Sequence, residues 1–104
     1  AARRRLVEVV RQQPGNAAAL NNLAWLLQKP GTADALAAAR PLAERALFLA
    51  PTAEAADTLG WIMVRQGDAA EGLALLRQAV AARRDAADPG MIVRLAWALG
   101  QAGD

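Results

Sequence analysis

The chain is predicted to be all-α, with about six helices arranged as a repeated helix pair. Three observations carry this expectation. Alanine and leucine dominate a sequence that is 55% hydrophobic; both are strong helix formers, whereas β-branched and aromatic residues are few. Prolines and glycines fall between the apolar runs, as chain breakers should. Finally, one motif recurs without gaps: Asn22-Leu23-Ala24-Trp25-Leu26-Leu27, Thr58-Leu59-Gly60-Trp61-Ile62-Met63 and Arg94-Leu95-Ala96-Trp97-Ala98-Leu99. Its tryptophans, all that the chain contains, are 36 residues apart, and each is followed six residues later by a glycine, Gly31, Gly67 or Gly103.

Taken in order, Leu6, Val7, Val9 and Val10 mark a first helix, ended by Gln13-Pro14-Gly15. In the first copy of the motif Leu20, Leu23, Ala24 and Leu27 form one helical stripe, at i, i+3, i+4 and i+7. Pro30-Gly31-Thr32 is a turn. The stretch from Ala33 to Ala50 is helical in composition but holds Pro41. An interior proline costs about 3 kcal/mol, so this helix is expected to begin near Arg40, with proline in its first turn, or to kink there. The second copy repeats the stripe with Ala56, Leu59, Gly60 and Met63. Gly67-Asp68 then opens a helix through Leu73, Leu76, Ala79 and Val80, with Asp68 as its N-cap. That helix is expected to continue through Arg83-Arg84-Asp85-Ala86-Ala87. Asp88-Pro89 reads as an N-cap with proline at the first helical position, and the third stripe is Ile92, Leu95, Ala96 and Leu99. The small residue beside each leucine (Ala24, Gly60, Ala96) admits a close helix neighbour. The glycine after each motif suits a left-handed helix end.

The composition argues against catalysis. With no Cys, His, Ser or Tyr, the chain lacks the commonest general base, the usual nucleophiles and the soft metal ligands. We therefore expect a non-enzyme with no cofactor and no metal. Thr32 and Thr52, two of the three threonines, sit where helices start. Glu54 and Asp57, three apart, read as a solvated helix N-terminus favoured by the helix dipole. Asp34, Asp68, Asp85 and Asp88 read as caps. Formal charge is only +2, and the Arg3-Arg4-Arg5 cluster reads as a solvated helix face. Nucleic-acid binding would want a longer basic stripe with stacking aromatics. No apolar run approaches the roughly 20 residues needed to span a bilayer, and no signal-peptide pattern is visible.

These residues resemble the tetratricopeptide repeat (TPR) family, whose helix pair carries Leu-Gly-x-x-Tyr in its first helix and Ala-x-x-x-Phe-x-x-Ala, then Pro, in its second. Leu59, Gly60 and Met63 match the first part; Gly72, Leu76 and Ala79 match the second. Ala39, Ala43, Ala46 and Pro51 keep the second-helix offsets in the preceding copy, and Leu6, Val9 and Pro14 fit the tail of a still earlier one. The resemblance covers essentially the whole chain. It departs in its 36-residue period, against a usual period of about 34, in its missing tyrosines, and in having Leu20, Ala56 and Ile92 where a larger residue is usual. The departures put a ligand site copied from any one subfamily in doubt. The resemblance implies an α-α superhelix of antiparallel pairs in one domain, 1–104. Residues 1–16 would be the second helix of a partial repeat, 17–52 and 53–88 two repeats, and 89–104 the first helix of another, the whole a fragment of a longer array. The segments around Asn21-Asn22 and Asp57-Thr58 also resemble TPR segments of bacterial proteins tied to envelope assembly and polysaccharide export. Cytoplasm and periplasm or envelope stay open as compartments.

In the TPR family the first helices line a concave groove that holds peptides or partner helices. With first helices beginning at Ala17, Ala53 and Pro89, the resemblance places on that groove Asn21, Trp25, Gln28 and Lys29; Asp57, Trp61, Val64 and Arg65; and Val93, Trp97 and Gln101. Each tryptophan then has two possible roles, as a rung of an aromatic track for a ligand or as packing that replaces the missing tyrosines. A carboxylate clamp using Asn21, Lys29 and Arg65 is disfavoured by Trp25, Trp61 and Asp57 among them. The implied function is a protein-interaction scaffold for a protein or peptide. The alternative is a structural element of a larger array or homo-oligomer.

Overall fold

A computed structural model describes residues 2–83 and 88–103. Among these the secondary structure is entirely helical: α1 (Ala2–Gln12), α2 (Ala17–Gln28), α3 (Ala33–Leu49), α4 (Ala53–Arg65), α5 (Ala69–Arg83) and α6 (Pro89–Ala102). The N-termini are set by short-range chemistry. Asn16, Thr32, Thr52 and Asp88 sit in extended backbone, and each side chain accepts a hydrogen bond from the backbone N–H three residues on, of Ala19, Ala35, Ala55 and Met91. One otherwise unpaired helix donor is satisfied at each start. Gly31 and Gly67 end their segments with φ of 71° and 96°. Gly103 differs: its φ is −76° and its N–H bonds to the Leu99 carbonyl, continuing the right-handed turn.

Helix α3 begins at Ala33 and runs unbroken past Pro41, rather than starting near Arg40. The Thr32 cap, Asp34 in the first turn and the buried Leu36, Ala39 and Ala43 hold the early turns in place. Pro41 is on the exposed side, as is Ala37, whose carbonyl loses its helical donor. Water can serve that carbonyl there, so the proline is tolerated. Asp68 occupies the N-cap position of α5, its carbonyl accepting from Gly72 N–H. Its carboxylate instead accepts from Arg40 at 2.7 Å, tying α3 to the α4–α5 turn. Arg40 also donates to Gln66. The Asp68 carboxylate, with Glu44, pushes the Arg40 guanidinium further towards its charged form. Helix α5 ends at Arg83; the expected extension through Arg84-Asp85-Ala86-Ala87 lies outside the described residues.

Consecutive helices pack on one another, and α4 also touches both α2 and α6, whereas the backbones of α1, α3 and α5 stay more than 8 Å from one another. Helices α4 and α5 are antiparallel: a short turn joins the end of one to the start of the other, and Arg83 near the end of α5 pairs with Glu54 at the start of α4. Ala17 and Ala18 of α2 share a cleft with Ala46 and Ala50 at the end of α3, so this pair is antiparallel too. The main core joins α2, α3 and α4 through Ala24, Leu36, Ala39, Ala43, Leu59, Ile62 and Met63. A smaller core of Val64, Leu76 and Ala98 joins α4, α5 and α6. Between α4 and α5 the backbones nearly touch. A Cβ placed on Gly60 would lie 2.8 Å from the Gly72 carbonyl oxygen, and one on Gly72 would lie 2.7 Å from that of Gly60.

The first two stripes are inside, as the periodicity predicts. The third is not: Ile92 and Leu99 are 52% and 41% exposed, Ala96 is exposed, and α6 buries Met91 and Ala98 instead. In the earlier copies Ala24 clusters with residues of α3 and Gly60 meets α5, the helices that follow, while Leu59 and Met63 lie in the core with α2 and α3; no described helix follows α6. No described helix is long and apolar enough to cross a membrane.

Candidate functional site

The mutually touching helices α2, α4 and α6 carry the three tryptophans, and their shared face is where polar and aromatic side chains converge. Two arginines organise it. Arg94 of α6 donates from Nε to Asp57 Oδ1 at 3.0 Å and from its terminal nitrogen to Oδ2, a two-pronged bond to a carboxylate of α4. The same guanidinium carbon lies 4.9 Å from the Trp25 ring centroid, so one cation joins three helices. Arg65 of α4 repeats the device one step earlier. It donates to the Gln28 side-chain oxygen at 2.6 Å and to the Gln28 carbonyl at 3.2 Å, and lies 5.5 Å from the centroid of Trp61. Gln28 turns its amide nitrogen to the Trp25 carbonyl. This explains how a glutamine only 2% exposed can be tolerated. A Cβ on Gly31 would collide with Arg65, so this turn leaves room for the guanidinium as well as supplying a positive φ.

Trp61 and Trp97 meet edge to face, with centroids 5.2 Å apart and an interplanar angle of 74°. This geometry sets the positive ring edge of one against the negative face of the other. Trp61 also packs against the smaller core. Trp25 and Trp61 are partly buried, while Trp97 is 45% exposed. The indoles thus differ: each of the first two has an arginine over it, and the third opens to solvent.

The expected groove residues separate accordingly. Asn21, Trp25, Trp61 and Arg65 are partly exposed and share this face with Trp97. Gln28 and Asp57 are buried beneath it, holding the arginines. Val64 is in the smaller core and does not face solvent. Lys29, Val93 and Gln101 are exposed and make no side-chain hydrogen bond or ion pair within the described residues. Asp57 is not part of a solvated N-terminus: it is 5% exposed because Arg94 compensates its charge. Glu54 pairs with Arg83 instead. Asp34 lies in the first turn of α3, behind the Thr32 cap, and Asp85 lies outside the described residues.

Asn21 has another distinction. Its Oδ1 is buried and has no hydrogen-bond donor among the described residues. It borders two clefts. One, of about 250 Å³, is floored by alanines of α2, α3 and α4. The other, of about 160 Å³, is more open and is walled by Trp25, Glu54, Asp57, Asp88 and Arg94. Sequence reasoning missed Arg94, because it stands where the earlier copies have Asn22 and Thr58. A signal was nevertheless present. Arg94 follows Asp57 by 37 residues, as Arg65 follows Gln28. That offset is one repeat plus one residue, and it brings neighbouring first helices into side-chain reach. Comparison of the chain with family models, curated proteins and solved structures finds no match.

Proposed function

We propose that the chain is a TPR-like, non-catalytic interaction scaffold. It would bind an extended peptide or partner helix across the face of α2, α4 and α6. The observation that carries this reading is the buried Asn21 Oδ1, without a donor among the described residues, at the edge of a cleft walled by Trp25 and Arg94. A buried acceptor without a donor costs about 1–3 kcal/mol, and a backbone N–H of a bound peptide would relieve that cost. Trp97, partly exposed, offers an apolar contact on the same face. Asp88 at the cleft favours a segment with a basic residue.

The prediction follows from the cost of that acceptor. Asn21→Ala removes it and replaces asparagine by a better helix former. It should leave the free protein as stable as the parent or more so, by about 0.5–1 kcal/mol in urea denaturation. Peptides selected on the parent protein from a random displayed library should bind Asn21→Ala and Trp97→Ala at least about tenfold more weakly, a loss of about 1.4 kcal/mol. Selected peptides that bind both variants as well as the parent would place recognition elsewhere.

A second reading, a structural element of a larger helical array or oligomer, is favoured by a different observation, the uncovered stripe of Ile92, Ala96 and Leu99 on α6.

A further inference from the structure

The chain builds the junction between neighbouring first helices twice, once from α2 and α4 and once from α4 and α6. At the second junction Asp57 accepts from Arg94, 37 residues further on. Asn21 holds the place of Asp57 one repeat earlier, and 37 residues beyond it stands Thr58, which brings no guanidinium. Asn21 Oδ1 is buried with no donor among the described residues. The first turn of the later helix differs in the same sense. Met91 of α6 is 2% exposed, and its counterpart in α4 is Ala55. Ala55 borders the cleft of about 250 Å³ that Ala17, Ala46 and Ala50 line together with Asn21. The second junction thus draws from its own chain an N–H donor and a long apolar side chain, and the first junction has neither.

We propose that this alanine-lined cleft is a specificity pocket for a methionine residue of a bound peptide. The methionine side chain lies on the alanines, and its own backbone N–H donates to Asn21 Oδ1. The inference rests on the interaction-scaffold reading and adds a side-chain class to it. Apolar cavities of about 150 Å³ hold a benzene ring, so the cleft has room for this side chain. Methionine is the residue that the third copy places at this point of the repeat, and its unbranched thioether adapts to an irregular apolar floor. Asn21 is partly exposed, and its soft amide torsion lets the oxygen turn into the cleft. Glu54 at the rim is paired with Arg83, and the floor itself carries no charge, which suits an apolar occupant.

The test titrates the whole chain with N-acetyl-methionine N-methylamide and follows its backbone amides by NMR. Saturable shifts are expected at Ala18, Asn21 and Ala55. The alanine analogue of the probe should bind at least about tenfold more weakly, because it leaves the apolar floor in water. A probe methylated on the methionine nitrogen should lose the Asn21 contact and weaken in the parent, but not further in Asn21→Ala. Ala55→Met copies the third copy, fills the cleft from within and should abolish the saturable shifts while keeping the parent's circular dichroism. Ala18→Met, at an exposed residue on the rim, blocks the cleft without touching the core and serves if Ala55→Met does not fold. No saturable shifts in the parent, equal binding of the methionine and alanine probes, or undiminished binding by a folded blocking variant overturns the proposal. The displayed peptides described above separate the two readings. Peptides that need Asn21 and Trp97 but bind Ala55→Met and Ala18→Met as tightly as the parent leave the scaffold reading standing and overturn the methionine pocket. Peptides indifferent to Asn21, Trp97 and Ala55 alike overturn both.

Discussion

Asp57→Ala should lower the unfolding free energy by about 2–3 kcal/mol, which makes it among the most damaging substitutions of a polar residue in this chain. The side chains of the Arg94–Asp57 pair are only 17% and 7% exposed. Removing the carboxylate leaves the guanidinium against Trp25 with no counter-charge and two donors unpaired. For a fully buried pair the loss is about 3–5 kcal/mol; the remaining exposure of Arg94 lets water recover part of it. Arg94→Ala should cost at least as much, because Asp57 is the more deeply buried partner and Trp25 loses its cation. The double variant separates the pair from its surroundings. In urea denaturation its loss should fall short of the summed single losses by about 1–2 kcal/mol. Strictly additive losses would mean that the two side chains do not interact in solution. The effect should centre on α6, which Arg94 fastens to α4.

Gly72→Ala should destabilise the chain by about 2–3 kcal/mol, against the usual gain of up to about 1 kcal/mol when alanine replaces glycine within a helix. The sign reverses because of what the new methyl meets: Val64 Cγ2 at 2.5 Å, the Gly60 carbonyl oxygen at 2.7 Å and the Val64 nitrogen at 2.8 Å. Two of these are backbone atoms, so α4 and α5 would have to separate. Gly100→Ala is the control. It lies in α6, and a Cβ there meets nothing within 4 Å. It should stabilise by about 0.5–1 kcal/mol. Thermal melts of the two variants beside the parent check both signs. A stabilised Gly72→Ala would show that the α4–α5 crossing is looser than the backbone contact requires.

The repeat was legible because it is written in local chemistry. A threonine, asparagine or aspartate that caps a helix acts on the N–H three residues away, so Thr32, Thr52 and Asp88 announce their helices without tertiary knowledge. The stripes of the first two motifs likewise carry their own period. A helix start near Arg40 was one of the two expectations for Pro41, and it fails because the proline's cost depends on whether the carbonyl it deprives of a donor reaches water, and exposure is a property of the packed molecule. Asp57 was misread for the converse reason. A carboxylate in the first turns of a helix is ordinarily solvated, and only the arrival of Arg94 from another helix makes its burial tolerable. The tryptophans were recognised as the repeat's marker, but their contacts were not legible. Trp25 lies under an arginine of the third copy, while Trp61 meets both its neighbour on α4 and Trp97.

What the sequence determined by itself, then, is the all-helical class, the caps at Thr32, Thr52 and Asp88 and the 36-residue register, because each is decided by hydrogen bonds and side-chain spacing within a few residues. The tertiary structure alone decided which residues of that register are covered. Leu27 and Leu99 occupy the same place in the motif. One is packed against α3 and the other is 41% exposed, because burial depends on whether a helix lies opposite. The arginine pairs belong to the same class of decision: partners 37 residues apart meet only once neighbouring first helices are side by side.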